Sequence, residues 1–184
     1  ICVIRRYTCQ VGPVEFSTNW TVENLGKVRL RMRIAIDLQG LQSPSHGLRG
    51  IGKYATALVT HLLSENHEHE FYLFLNGDLS ESCRRVRKIF EQRLDPSRIL
   101  VWEPIACSSL TVEQNSRNSE LILEAALASI GPDVILLTSL FEHFEEGCAT
   151  SIRQLQNRIP TAVVLYDLIP LIYPDLYLQD SGTK

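Results

Sequence analysis

The sequence lacks the features that mark several classes of protein. No apolar run approaches the roughly 18 residues that a membrane-spanning helix requires, and the chain has neither an internal repeat nor a low-complexity stretch. Its fractions of hydrophobic (45%) and charged (21%) residues lie close to the averages for globular proteins. These absences exclude transmembrane, collagen-like and disordered chains, and they leave a globular fold.

Paired cysteines are also missing. The five cysteines are odd in number and include no CxxC pair, whereas disulfide frameworks and zinc sites rely on pairs. We therefore expect a reducing, cytoplasmic location and no structural metal.

A basic surface is lacking as well. The first 31 residues carry five basic and two acidic side chains, a balance of +3; since the whole chain has a net charge of −3, residues 32–184 carry −6. Nucleic-acid binding needs clustered Lys and Arg, so we exclude it. The charge contrast, together with a single methionine at Met32, predicts that residues 1–31 are an extension and that residues 32–184 form one domain, incomplete at its C-terminal end.

From Met32 onward, short apolar segments alternate with segments of helical periodicity. Nearly continuous apolar strands between helices indicate a parallel sheet covered on both faces. The sequence thus predicts an α/β fold with a doubly wound, Rossmann-like sheet. The predicted strands are 33–38, 71–75, 99–102, 133–137 and 161–166; the predicted helices are 51–62, 80–93, 115–130 and 149–158, with a loop over 39–50.

Ligands of such sheets bind beyond the carboxyl ends of the strands. The loop after the first strand runs into a helix through Gly50 and Gly52, whose backbone N–H groups would suit an anion. Arg49 and Lys53 add positive charge for a diphosphate. The GxxGxG spacing matches neither the dinucleotide fingerprint nor the P-loop, and a flexible loop with a glycine-rich helix start is the alternative.

Two further loops carry polar candidates. Glu142 and His143 follow the fourth strand, where they share no helical face suited to a metal; we interpret them as hydrogen-bonding a polar ligand such as a sugar, or as part of a solvated loop. Asp167 follows the fifth strand, where a carboxylate can orient or deprotonate a hydroxyl. Its alternative is a turn or helix-capping residue.

Four segments, in this order, resemble the N-terminal half of a glycosyltransferase of family 4, the group 1 enzymes with the GT-B fold. They are MRIAIDLQGL, GLRGIGKYATALVTHLL, PDVILLTSLFE and TAVVLYDLIPLIYPDLY. The resemblance implies two Rossmann-like domains, the N-terminal one binding the acceptor and the C-terminal one binding a nucleotide sugar. It implies transfer with retention of configuration, without metal or cofactor, to a glycan or lipid-linked acceptor.

The resemblance also assigns residues. The glycine-rich loop that meets donor phosphates and acceptor corresponds to Gly50 and Gly52. A His-Asp pair of the family corresponds to Tyr166 and Asp167, so Asp167 matches a catalytic position, whereas Tyr166 replaces a histidine and is expected at the acceptor. Glu142 and His143 precede the region of the acceptor site.

One departure from the family pattern is an absence: its paired-glutamate motif belongs to the C-terminal domain, which this sequence does not contain. We therefore expect the fragment to be inactive without that domain. Family members often work at the cytoplasmic face of a membrane, although no basic amphipathic helix in the sequence supports such peripheral association.

Two other functions stay open. A non-catalytic α/β module could bind a phosphorylated ligand or a partner protein; its receiver-like form needs an acidic cluster after the first strand, where only Asp37 stands. An NAD-dependent enzyme needs an acidic residue at the end of the second strand, where Asp78 is a marginal candidate. A downstream domain with glutamates seven residues apart would favour the transferase.

Overall fold

The structure is a computed structural model. It describes residues 31–44, 47–65, 68–104, 108–139 and 158–166, together with residues 149, 152, 155 and 172. The predicted boundary after residue 31 therefore stays a prediction.

A single five-stranded sheet organises the described chain. All four strand pairings are parallel, and the strand order is β3-β2-β1-β4-β5. The α/β, Rossmann-like fold class is confirmed. The strands are β1 (Arg33–Asp37), β2 (Glu70–Asn76), β3 (Ile99–Trp102), β4 (Val134–Leu137) and β5 (Thr161–Val163).

Helices cover both faces of this sheet. They are α1 (Gln39–Gln42), α2 (Gly50–Glu65), α3 (Ser80–Phe90) and α4 (Val112–Ser129), and a 3₁₀ turn over Pro96–Arg98 precedes β3. Side chains of β1 alternate between two cores because successive residues of a strand point to opposite faces. Ile36 packs with α2 and α3, and Ala35 packs with α4.

The start of α4 is set by local hydrogen bonds. The Gln114 backbone N–H donates to Thr111 Oγ1 (3.2 Å), and the Thr111 backbone N–H donates to Gln114 Oε1 (2.9 Å). This reciprocal capping box satisfies two donors that a helix N-terminus otherwise leaves without partners. It places the start of the helix at Val112 rather than at the predicted Asn115.

Three predicted segments differ from the structure. The predicted loop over 39–50 contains α1, which forms because Gln39 and Gln42 are buried and hydrogen-bonded to the rest of the fold. The last strand ends at Val163 instead of residue 166. Most of the predicted helix 149–158 lies outside the described residues, and its four described positions belong to no helix.

Candidate functional site

The order in which the chain adds strands to the sheet reverses between β1 and β4. The chain runs from β1 outward to β2 and β3 and then returns to β4 on the other side of β1. In open α/β sheets, ligands bind at the carboxyl ends of the strands at such a switch point. We call the residues that follow β1 and β4 there, Asp37 to Gly40 together with Thr138 and Ser139, the switch-point edge.

The two sides of the switch-point edge touch closely. A Cβ atom at Gly40 would lie 2.6 Å from Ser139 Cβ, so only glycine lets α1 approach the end of β4. Thr138 Oγ1 donates to the Asp37 carbonyl oxygen (2.8 Å) and joins the two strand ends. The two strand ends are thus packed and hydrogen-bonded to each other.

Buried polar side chains are concentrated at the carboxyl ends of β1, β2 and β4. Burying such groups costs free energy unless each finds a hydrogen-bond partner. Among the described residues, three further buried polar side chains lie on α4, so this end of the sheet holds the larger group. The members are Asp37, Gln39, Gln42, Ser43, Asn76, Thr138 and Ser139.

Gln39 is the hub of this cluster. Its Nε2 donates to Asp37 Oδ2 (3.3 Å), and its Oε1 accepts from Asn76 Nδ2 (3.4 Å) and from the Ala149 backbone N–H (3.0 Å). One amide group therefore connects the ends of β1 and β2 with the segment that follows β4. Gln42 adds a second connection, since its Oε1 accepts from the Asn76 backbone N–H (2.7 Å).

Asp37 is the titratable group of the cluster. Its side chain is 1% exposed, and its Oδ1 has no hydrogen-bond partner among the described residues. Burial raises the pKa of Asp37 to about 7, although hydrogen bonds from Gln39 act in the opposite direction. The switch-point edge therefore contains a carboxyl group that gains and loses its proton near neutral pH.

The glycine loop enters α2 through a backbone contact. A Cβ atom at Gly52 would lie 2.0 Å from the Gly47 carbonyl oxygen, so a side chain at position 52 has no room. Gly50 differs, because nothing lies within 4 Å of its Cβ position. The side chains of Arg49 and Lys53 are exposed beside this helix start, where they are free of the core.

Tyr166 reaches the same end of the sheet from the segment after β5. Its hydroxyl donates to the Thr138 carbonyl oxygen (2.8 Å). Its ring meets the ring of Tyr54 on α2, with centroids 5.5 Å apart and planes at 88°. Sequence reasoning did not single out Tyr54, because only its contact with Tyr166 distinguishes it from other tyrosines.

An open pocket of about 470 Å³ lies on the β2 side of the edge, between α1 and the start of α3. Arg85 closes part of it and donates to the Leu41 carbonyl oxygen (2.7 Å). The other residues of its lining are Gln42, Ser43, Pro44, Leu48, Asp78, Leu79, Ser80, Glu81 and Ser82.

The remaining predicted site residues, Glu142, His143 and Asp167, lie outside the described residues. Within the described part of the chain, no three His, Cys, Asp or Glu side chains come together in a way that could hold a metal ion. No helix of the described residues has the length and apolarity needed to cross a membrane.

Comparison with known proteins gives three informative relatives, each named serotype-specific mannosyltransferase WbdA from Escherichia coli. One is 28% identical over 157 residues, which is 83% of this chain and 19% of that relative. The other two are 26% and 25% identical over 121 residues, 64% of this chain and 15% of each relative. No family model and no solved structure matches.

The chain thus spans less than a fifth of the length of the curated relatives it matches. A match over 83% of 184 residues must include the middle of the chain, where the whole switch-point edge lies. The chain is therefore similar to a small part of each relative, at 25% to 28% identity.

Proposed function

We propose that this chain forms the acceptor-binding domain of a glycosyltransferase that transfers a sugar from a nucleotide sugar to an acceptor hydroxyl, with retention of configuration. The observation that carries this proposal is the match of most of the chain to a mannosyltransferase. That match includes the polar end of a parallel sheet, where ligands of this fold class bind.

The relatives' name suggests the sugar. We infer that the donor is a nucleoside diphosphate mannose and that the acceptor is a glycan or a lipid-linked sugar. Since the matched region is a small part of each relative, the proposal extends to a longer protein. In it, a second Rossmann-like domain of the GT-B type would supply most donor contacts.

The start of α2 is suited to the leaving diphosphate. Its first turn contains no acidic residue, and the positive end of a helix dipole, with its backbone N–H groups, favours an anion. In the proposed reaction these groups, with Arg49 and Lys53, stabilise the charge that develops as the bond between sugar and diphosphate breaks. The open space at Gly50 lets the phosphate come near the backbone.

Acceptor binding is proposed for the loops after β4 and β5. Glu142, His143 and Tyr166 would hydrogen-bond the acceptor sugar, and Asp167 would orient the attacking hydroxyl. The hydroxyl oxygen bonds to the anomeric carbon on the face from which the diphosphate departs, the diphosphate leaves with the electrons of the broken bond, and one of its phosphate oxygens takes the hydroxyl proton.

Peripheral membrane association also stays a proposal. α3 buries Val86 and Phe90 and carries four basic residues. Its apolar face is buried in the core, so α3 would meet an anionic cytoplasmic surface through charge alone. The basic residues are Arg84, Arg85, Arg87 and Lys88.

The test uses the whole reading frame that contains this chain. Purified protein is given a panel of nucleoside diphosphate sugars, and release of the nucleoside diphosphate is measured with and without mannoside acceptors. We expect the mannose donor to be preferred and Asp167→Asn to lower the rate by about 10² to 10⁴.

Asp95→Asn is the matched control. Asp95 accepts a hydrogen bond from the Ser97 backbone N–H (2.9 Å) in the turn before β3, at the opposite end of the sheet, and its replacement should leave the rate unchanged. Unchanged turnover in Asp167→Asn would remove Asp167 from the mechanism. Binding of sugar phosphates without any turnover would favour the non-catalytic module.

A further inference from the structure

Tyr54 is an exposed aromatic ring at the end of the sheet where ligands of this fold class bind. Few large hydrophobic side chains of the described residues are exposed, and Tyr54, at 41%, is the aromatic one among them. The others are Leu48, Val101, Val112 and Ile172. A tyrosine ring with one side open to solvent offers a flat apolar surface with a polar rim.

A chain of contacts holds this ring in place. Tyr54 packs edge to face against Tyr166, at a centroid distance of 5.5 Å. Tyr166 is itself fixed by its hydrogen bond to the Thr138 carbonyl oxygen, and Thr138 donates to the Asp37 carbonyl oxygen. The exposed ring is thus attached, through two hydrogen bonds and one ring contact, to the ends of β4 and β1.

This arrangement suits a sugar ring. One face of a pyranose consists of C–H groups and its rim consists of hydroxyls, so a rigid aromatic side chain can cover the C–H face while the surrounding polar groups meet the hydroxyls. A tyrosine gives this contact area at a low cost in side-chain entropy because it has few rotatable bonds. Holding the ring before the ligand arrives reduces that cost further.

We propose that Tyr54 and Tyr166 form an aromatic subsite that binds one pyranose ring of the acceptor. Tyr54 stacks on the sugar, and Tyr166 is a positioning residue that keeps the ring of Tyr54 in place. The subsite rests on the proposed transferase function. It adds to that function a residue, Tyr54, that determines acceptor affinity.

Two variants of Tyr54 test whether binding depends on the aromatic ring, on the hydroxyl or only on an apolar side chain. Tyr54→Phe keeps the ring, whereas Tyr54→Leu keeps an apolar side chain without it. Val101→Ala is the control, since Val101 is exposed to nearly the same extent (42%). Val101 lies on β3, the outer strand on the other side of the sheet from β5, which Tyr166 follows. Thermal unfolding of each variant checks that the fold is retained.

The probes are methyl α-mannoside and an α-linked mannobiose, because the product of any mannosyl transfer is a mannoside. Binding to the full reading frame is measured by saturation-transfer NMR titration, and hydrolysis of nucleoside diphosphate mannose is measured on the same samples. We expect Tyr54→Leu to weaken mannoside binding about threefold to tenfold. Tyr54→Phe and Val101→Ala should bind like the wild type, and donor hydrolysis should stay the same in Val101→Ala.

Four results would overturn the subsite. Equal binding by Tyr54→Leu and wild type would show that the ring does not stack on the sugar, and equal weakening in Tyr54→Phe would assign the effect to the hydroxyl. Donor hydrolysis by a wild-type protein that binds no mannoside would reject the subsite and leave the transferase standing. Absence of donor hydrolysis with every nucleotide sugar would reject the transferase, and the subsite with it.

Discussion

At the scale of single residues, Asp37 makes the stability of the fold depend on pH. Burial raises the pKa of its carboxyl from 3.8 to about 7, so between those values the folded chain keeps a proton that the unfolded chain loses. Stability contributed by the protonated form is fully present below about pH 4 and is lost as the pH rises through 7. The full loss is on the order of 4 kcal/mol.

We therefore predict that Asp37→Asn flattens this dependence. The neutral amide has no charge to bury, so the variant should be more stable than the wild type at pH 8 by about 2 to 4 kcal/mol, and the difference should shrink toward pH 4.5. Urea denaturation at several pH values measures it. Asp78→Asn, at an exposed position at the same end of the sheet, is the control, and equal slopes in Asp37→Asn and wild type would contradict the prediction.

The two glycines at the start of α2 should respond in opposite ways to alanine. Gly52→Ala places a methyl group against the Gly47 carbonyl oxygen. Because the atoms it meets belong to the backbone of Gly47, the clash should cost about 1 to 3 kcal/mol. Gly50→Ala meets open space in a helical position and should stabilise by about 0.5 to 1 kcal/mol. Thermal unfolding compares the two variants. Equal effects would mean that the Gly47 backbone shifts at little cost in free energy to make room for the methyl group at position 52.

The glycine-rich start of this helix was predictable from sequence, but the difference between its two glycines was not. That difference comes from the approach of Gly47, which folds back through its hydrogen bond to the Ser43 carbonyl oxygen (2.8 Å). Tyr54 was missed for a related reason: an exposed tyrosine acquires meaning only when Tyr166, 112 residues later, packs against it.

At the scale of elements, the capping box of α4 gives a local test. Thr111→Ala removes the side-chain oxygen that accepts from the Gln114 backbone N–H and should lower the free energy of unfolding by about 1 kcal/mol. Thr111→Ser keeps an acceptor at the same place and should restore most of the loss. Denaturant titration of the two variants measures the difference, and an equal loss in both would argue against the cap.

The longer elements could be predicted because their signals are local. The apolar runs of β1 to β4 and the periodicity of α2, α3 and α4 indicate their type within a few residues of the observed bounds. The four-residue α1 could not be predicted, since Gln39 and Gln42 look like loop residues until their amides meet Asn76, 34 or more positions away. Such long-range partners carry no sequence pattern.

At the scale of the whole molecule, the sequence predicted where a site should form but not how it is held. Parallel strands bring their carboxyl ends to one edge, so the loops after β1, β4 and β5 stay the predicted places for ligand-binding residues. The structure adds that polar side chains at the ends of β1, β2 and β4 form one hydrogen-bonded layer. A substitution in that layer would disturb several strand ends at once, because they share the same partners.

The central position of β1 also affects how the chain folds while it is being synthesised. β1 leaves the ribosome before the other strands, yet Ile34 pairs with Val134, one hundred residues later. Until β4 has emerged, one side of β1 presents unpaired N–H and C=O groups, the kind of edge that invites pairing with another chain. Pairings between distant residues also form slowly, so this domain should need its nascent β1 edge shielded, and production of the chain should depend more on chaperone supply than its final stability would suggest.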